Sequence, residues 1–188
     1  RLQQALPLRI GRFLHAAAAA RIAFAGQHHL REALRLAPQE RESTLLLVAA
    51  LVKRGDLVSA EQAIAPLLAG KDTNDLRLGF AKLLIDADQR VAAKTQINQV
   101  LKFDANSADA HLAIGLLLLD ERQSDQAEPH FTALLENPER KSDAAYYLGR
   151  IAEIRQQPGS ALAWYEKVTS GSQVLDSLVR RARVLATL

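Results

Sequence analysis

The segment Ala110-His-Leu-Ala-Ile-Gly-Leu-Leu-Leu-Leu119, followed by Gln126-Ala-Glu-Pro-His-Phe-Thr-Ala-Leu-Leu135, has an echo further along the chain. The echo reads Ala144-Ala-Tyr-Tyr-Leu-Gly-Arg-Ile-Ala152, then Ser160-Ala-Leu-Ala-Trp-Tyr-Glu-Lys-Val168. One offset relates the two: Gly115 to Gly149, Ala127 to Ala161 and Phe131 to Tyr165 are each 34 residues apart. A constant period of this length marks stacked helical pairs, because each pair can bury its apolar face only against its neighbours.

Stepping back one period lands on Ala81, Ala93 and Ile97, and a further step with a one-residue slip on Val48, Ala60 and Ile64. Small side chains are what two antiparallel helices need in order to approach closely. Larger residues fill the flanks: Leu47, Phe80, Ile114 and Leu148, with Leu51, Leu84 and Leu118 one turn later. Ile64, Ile97, Phe131 and Tyr165 are expected to wedge between hairpins, supported by Leu67, Val100, Leu134 and Val168. These positions recur at three- and four-residue spacing, so each set shares a helical face.

The expected organisation is one continuous all-α solenoid, a right-handed superhelix of antiparallel helix pairs. Residues 1–40 form an atypical first hairpin, with helices over Leu8–Phe24 and Gln27–Leu36. Four repeats follow at 41–73, 74–107, 108–141 and 142–173. Residues 174–188 are read as a capping helix, the first half of a fifth unit, with Ala182 at its small position and Arg180, Arg181 and Arg183 keeping its outer side wet. Lys53-Arg-Gly-Asp56 and Gln156-Gln-Pro-Gly159 read as tight turns, and Ser107 and Ser124 as helix N-caps. Asn137-Pro138 ends a hairpin. Pro66 and Pro129 fall inside expected helices, where a missing backbone donor predicts a kink or an early start.

Composition agrees with helices. Apolar residues make up 48% of the 188 positions, with aromatics at only 5%. The absence of cysteine excludes disulfides, thiolate zinc sites and cysteine nucleophiles. There is no methionine either, so Arg1 reads as a cleavage point or the edge of a segment cut from a longer bacterial protein. Residues 1–40 carry 6 basic and 2 acidic side chains, 41–171 carry 15 and 18, and 172–188 carry 3 and 1. Basic ends this modest, without interleaved aromatics, point to a solvated surface and not to nucleic acid. No apolar run reaches the roughly 18 residues of a membrane span.

Catalytic and metal-binding patterns are not found. His28 and His29 are adjacent and point to different sides of a helix, while His111 and His130 fall on different helices of one hairpin. Gly70-Lys71-Asp72-Thr73 lacks the upstream glycine of a phosphate loop. Asp86-Ala-Asp88 lacks the glycine of a calcium loop. The chain is therefore expected to be no enzyme and to need no cofactor or metal.

The periodic residues resemble the tetratricopeptide repeat, with its small residue at position 8, alanine at 20 and aromatic or aliphatic residue at 24. The bulky residue usual at position 4 is replaced by Thr44, Arg77, His111 and Ala145. Proline at 32 is replaced by Asp72, Ala105, Glu139 and Gln173. The resemblance implies a concave face lined by the first helix of each pair. It would carry Leu78, Lys82, Ile85, Leu112, Leu116, Leu119, Tyr146 and Arg150 as partner-binding residues. That lining suits another protein, offered as an amphipathic helix or extended hydrophobic segment; covering by neighbouring parts of the same chain is the alternative. Leu112 and Leu116, or Tyr146 and Arg150, stand where carboxylate-clamp members carry Lys and Asn, so clamping of a peptide carboxylate is rejected. Other readings are an accessory domain of an envelope enzyme or polysaccharide-export machine, and a homo-oligomerisation module. Tyr146 to Glu153 also looks like long repeat proteins of the bacterial envelope, which implies a periplasmic, outer-membrane-associated lipoprotein as the full-length chain.

Overall fold

The computed structural model describes residues 41–70 and 73–187. The expected helices over Leu8–Phe24 and Gln27–Leu36, the adjacent His28 and His29, and the turn at 71–72 lie outside the described residues. Numbering from the first described helix, the elements are α1 (Arg41–Lys53), α2 (Leu57–Leu68), α3 (Asn74–Asp86), α4 (Arg90–Phe103), α5 (Ala108–Asp120), α6 (Ser124–Ala133), a 3-10 turn (Leu134–Glu136), α7 (Lys141–Ile154), α8 (Pro158–Tyr165) and α9 (Val174–Leu185). Among the described residues there is no strand. The fold is all-α and built of tetratricopeptide-like helix pairs. Two compact units divide at Val100, within α4.

In the unit ending at Val100, α1 pairs with α2 and α3 with α4. The core is Leu47, Val48, Leu51, Ala60 and Ile64, and then Phe80, Ala81, Leu84, Ala93 and Ile97, all buried. Arg77 crosses this unit. Its guanidinium donates to Gln96 Oε1 at 3.2 Å and to the Leu68 carbonyl at 3.4 Å, so it satisfies an otherwise orphaned acceptor at the end of α2.

In the unit from Leu101 onward, the seam residues are glycines. A Cβ on Gly115 would stand 2.8 Å from the Phe131 ring, and one on Gly149 2.5 Å from the Tyr165 ring. No side chain fits there, so each aromatic lies directly on the backbone of its own hairpin's first helix. Phe131 also stacks on Tyr147 of the next hairpin, with centroids 4.9 Å apart. The aromatic thus serves both contacts, where the sequence suggested only the one between hairpins.

The four first helices end in one way. The amide of Asp56 bonds to Leu51 O, Gln89 to Leu84 O, Gln123 to Leu118 O and Gln157 to Ala152 O, each closed by a left-handed residue just before. This is the Schellman arrangement, which satisfies the last carbonyls of a helix. The left-handed residues are Gly55, Asp88, Arg122 and Gln156, with φ of 77°, 58°, 61° and 57°. Only one of the four is glycine.

Three local expectations change. Ser124 is the first residue of α6, and Gln123 is its cap. Ser107 does cap α5 by position, but its side chain makes no capping bond; Asp56 does, accepting from Ser59 N at 3.2 Å. The helical assignment runs unbroken through Pro66 and Pro129, and α6 starts five residues before its proline with no early start there. Pro66 falls in the last turn of α2 and Pro129 in the middle of α6.

Candidate docking surface

The eight inner-face residues divide between the two units. Leu78, Lys82 and Ile85 stand on α3; Leu112, Leu116 and Leu119 on α5; Tyr146 and Arg150 on α7. Three- and four-residue spacing puts the members of each group on one helical face. Leu78, Lys82, Leu112, Leu116 and Tyr146 are buried, Leu112 completely. Ile85, Leu119 and Arg150 are half-buried. Leu112 and Leu116 are therefore part of the core, and it is Ile85, Leu119 and Arg150 that reach the surface. Lys82 pairs with Asp86 one turn on, its Nζ 3.7 Å from the carboxylate.

Tyr146 is covered because α9 lies over it. Its hydroxyl donates to Asp176, and Arg180 Nε donates to the Asp176 carboxylate at 2.7 Å and to the Tyr146 oxygen at 3.3 Å. Arg180 Nη1 reaches Glu153 at 2.8 Å, and the Tyr165 hydroxyl donates to the same carboxylate at 2.9 Å. Burial, followed by the Asp176 hydrogen bond, pushes the Tyr146 phenol up. Burial and the Glu153 hydrogen bond push Tyr165 far up. Asp176 is held low, first by the Tyr146 hydroxyl and then, against its burial, by Arg180. Phenols driven this way stay protonated and act as donors, not as bases or nucleophiles.

This network reverses the expected orientation of the last helix. Arg180 and Arg181 point into the unit, Arg181 pairing with Glu166 at 3.2 Å; Arg183 alone of the three is exposed. The physical reason is the carboxylates: Glu153 and Glu166 on and beside the preceding hairpin hold the guanidiniums, and the apolar side of α9 is turned out. Leu175, Leu178, Val179 and Leu185 are exposed. Their three- and four-residue spacing was a readable signal of an apolar stripe, but not of its direction.

Two further clusters join hairpins. Arg140 pairs with Asp109 at 2.7 Å and Asp143 at 3.4 Å, and burial raises the Asp143 carboxyl despite that neighbour. Arg155 pairs with Asp125 at 2.6 Å and Glu128 at 2.7 Å. Tyr147 is pushed up to about 12 by burial and then by Asp143, while Arg150 stands 6.0 Å over its ring. The two histidines meet: His111 Nδ1 lies 2.9 Å from His130 Nδ1, and His111 Nε2 lies 2.9 Å from Ala105 O. A His111 tautomer donating to that carbonyl leaves its Nδ1 to accept from His130. Burial and then His111 lower the His130 pKa. Among the described residues no group of three or more His, Cys, Asp or Glu could hold a metal, and no helix is long and apolar enough to cross a membrane.

Helix pairs closed on a small-residue seam and strapped to the next pair by arginine–carboxylate bridges define an all-α helical-repeat protein. Residues 112–173 match the tetratricopeptide-repeat family model. Solved structures with the same fold include MamA, at 15% identity and a TM-score of 0.60 over 84% of this chain and 89% of that one. PilF of Pseudomonas aeruginosa matches at 13% identity and 0.58 over 94% and 85%. YrrB, described as a tetratricopeptide-repeat protein with an unusual peptide-binding site, matches at 18% and 0.56 over 92% and 89%. At these identities the likeness is one of fold. No curated protein matches the sequence.

Proposed function

We propose that this chain is a docking scaffold for another protein and has no catalysis of its own. The observation that carries the reading is the helical-repeat fold itself, which supports protein–protein interaction in general. Arg140, Arg155 and Arg180 are spent on joining hairpins, which leaves surface recognition as the work available. A solved structure of the same fold is described as having a peptide-binding site, which is in keeping with a peptide or helix as the docked element.

The reachable inner-face residues in the unit from Leu101 onward are Leu119 on α5, which is apolar, and Arg150 on α7, which is cationic. An amphipathic helix with an acidic edge suits them. The test is capture of the partner from the native cell by the wild-type chain and by Leu119→Asp with Arg150→Glu. The double variant should lose capture while keeping its helical circular dichroism. Leu112→Asp with Leu116→Asp should instead unfold, since both leucines are core. Unchanged capture by the first variant would remove this surface from the proposal. The likeness of Tyr146–Glu153 to envelope repeat proteins supports a periplasmic location for the full-length protein, which cell fractionation would check.

A further inference from the structure

The exposed stripe on α9 is self-complementary. The buried side of the helix is Ser177, Arg180, Arg181 and Val184. At about 100° per residue, the opposite side carries Leu175, Val179, Ala182 and Ala186, flanked along one edge by Leu178 and Leu185 and along the other by Asp176 and Arg183. Leu175 is 74% exposed, Leu185 58%, Leu178 51% and Val179 49%. A helix in water normally shows the reverse, with polar residues outward.

We propose that this face packs against the same face of a second copy of the chain, with the two α9 helices antiparallel about a two-fold axis. Antiparallel pairing sets the large residues of one helix against the small ones of the other. Leu175 meets Ala186 of the second copy, and Val179 meets its Ala182. On one edge Leu178 meets Leu185. On the other Asp176 meets Arg183, with an axial offset of two residues, about 3 Å. The two-fold makes each contact twice. Arg183 is exposed and makes no ion pair among the described residues. Asp176 keeps 49% of its side chain in solvent after engaging Arg180. In a parallel two-fold pair opposite edges meet, so Asp176 and Arg183 would face the Leu178 and Leu185 edge of the second copy and form no ion pair, which disfavours that arrangement. An interface confined to one twelve-residue helix per copy is smaller than the roughly 20–30 residues a side of a standard one, so a weak, micromolar dimer is expected.

The test is sedimentation of the chain from micromolar to several hundred micromolar. A concentration-dependent dimer that Val179→Glu abolishes, with circular dichroism unchanged, supports the interface. The chain has no cysteine, so engineered thiols are unique. Val179→Cys mixed with Ala182→Cys should form a disulfide-linked heterodimer faster than either variant alone forms a homodimer. The mixed-thiol measurement stands even where Val179→Glu fails to fold. A chain monomeric throughout, a dimer indifferent to Val179→Glu, or homodisulfides outrunning the mixed one would each overturn the proposal. So would a monomer whose α9 face instead binds a peptide of residues 157–169, which would show that the stripe takes the second helix of a hairpin.

Discussion

In the hairpins α1–α2 and α3–α4, the seam residue of the first helix is Val48 or Ala81, and the register position sixteen residues on is Ile64 or Ile97. In α5–α6 and α7–α8 the seam residue is Gly115 or Gly149, and the partner is Phe131 or Tyr165. All eight are buried. A bulkier residue on the first helix goes with a smaller one on the second, and the reverse. Val48 with Ile64 is larger than Ala81 with Ile97 by two carbon atoms, but from the second hairpin on what repeats is the summed volume of the pair. Close packing requires this, because both a void and an overlap cost stability.

The largest effect that could break this comparison is Phe131→Ala. Removing a fully buried ring over a glycine leaves no atom to fill the gap, and urea unfolding should show a loss of about 3–5 kcal/mol. Next comes Gly115→Ala, expected to cost about 1–3 kcal/mol through overlap with that ring. Adding Phe131→Ile should return most of it by recreating the Ala81–Ile97 pairing, with a coupling of at least about 1 kcal/mol. Purely additive losses would mean that the two positions do not share volume.

A smaller effect concerns the turns. Arg122 holds a left-handed conformation that Gly55 adopts without strain. Arg122→Gly should therefore raise the unfolding midpoint, worth about 1 kcal/mol. The smallest is a pH effect at the histidine pair. Folded His130 has a lowered pKa, so as pH falls below roughly 6.5 the unfolded chain binds the proton first. More protons on the unfolded state means that stability falls with falling pH across that window. Half-exposure limits the loss to under about 1 kcal/mol. Comparing urea midpoints at pH 7.5 and 5.5 should show the difference shrinking in His130→Gln.

The period, the hairpins and their seam were legible because small residues at a fixed spacing have one physical use in paired helices. The shared turn geometry was not, since Asp88, Arg122 and Gln156 give no compositional sign of a positive φ. Nor was the orientation of α9. Amphipathicity shows that a helix has two sides, but Glu153 and Glu166, 27 and 15 residues before their arginines, decide which side turns inward. The contact between His111 and His130 needs the helix pairing before it can be seen. The inner-face leucines could be placed on a face from spacing alone, while their burial depends on what packs over them.

The arginine straps carry a mechanical consequence. Arg140 reaches back 31 residues to Asp109, Arg155 30 to Asp125, and Arg180 27 to Glu153, each tying a pair only to the one beside it. Stretched between clamps, such a ladder should yield rung by rung, each step releasing one 34-residue period, or about 115 Å of extended polypeptide. A force trace of evenly spaced teeth, in place of one rupture, is the signature of a molecule that gives way locally and can zip up again from whatever rung still holds.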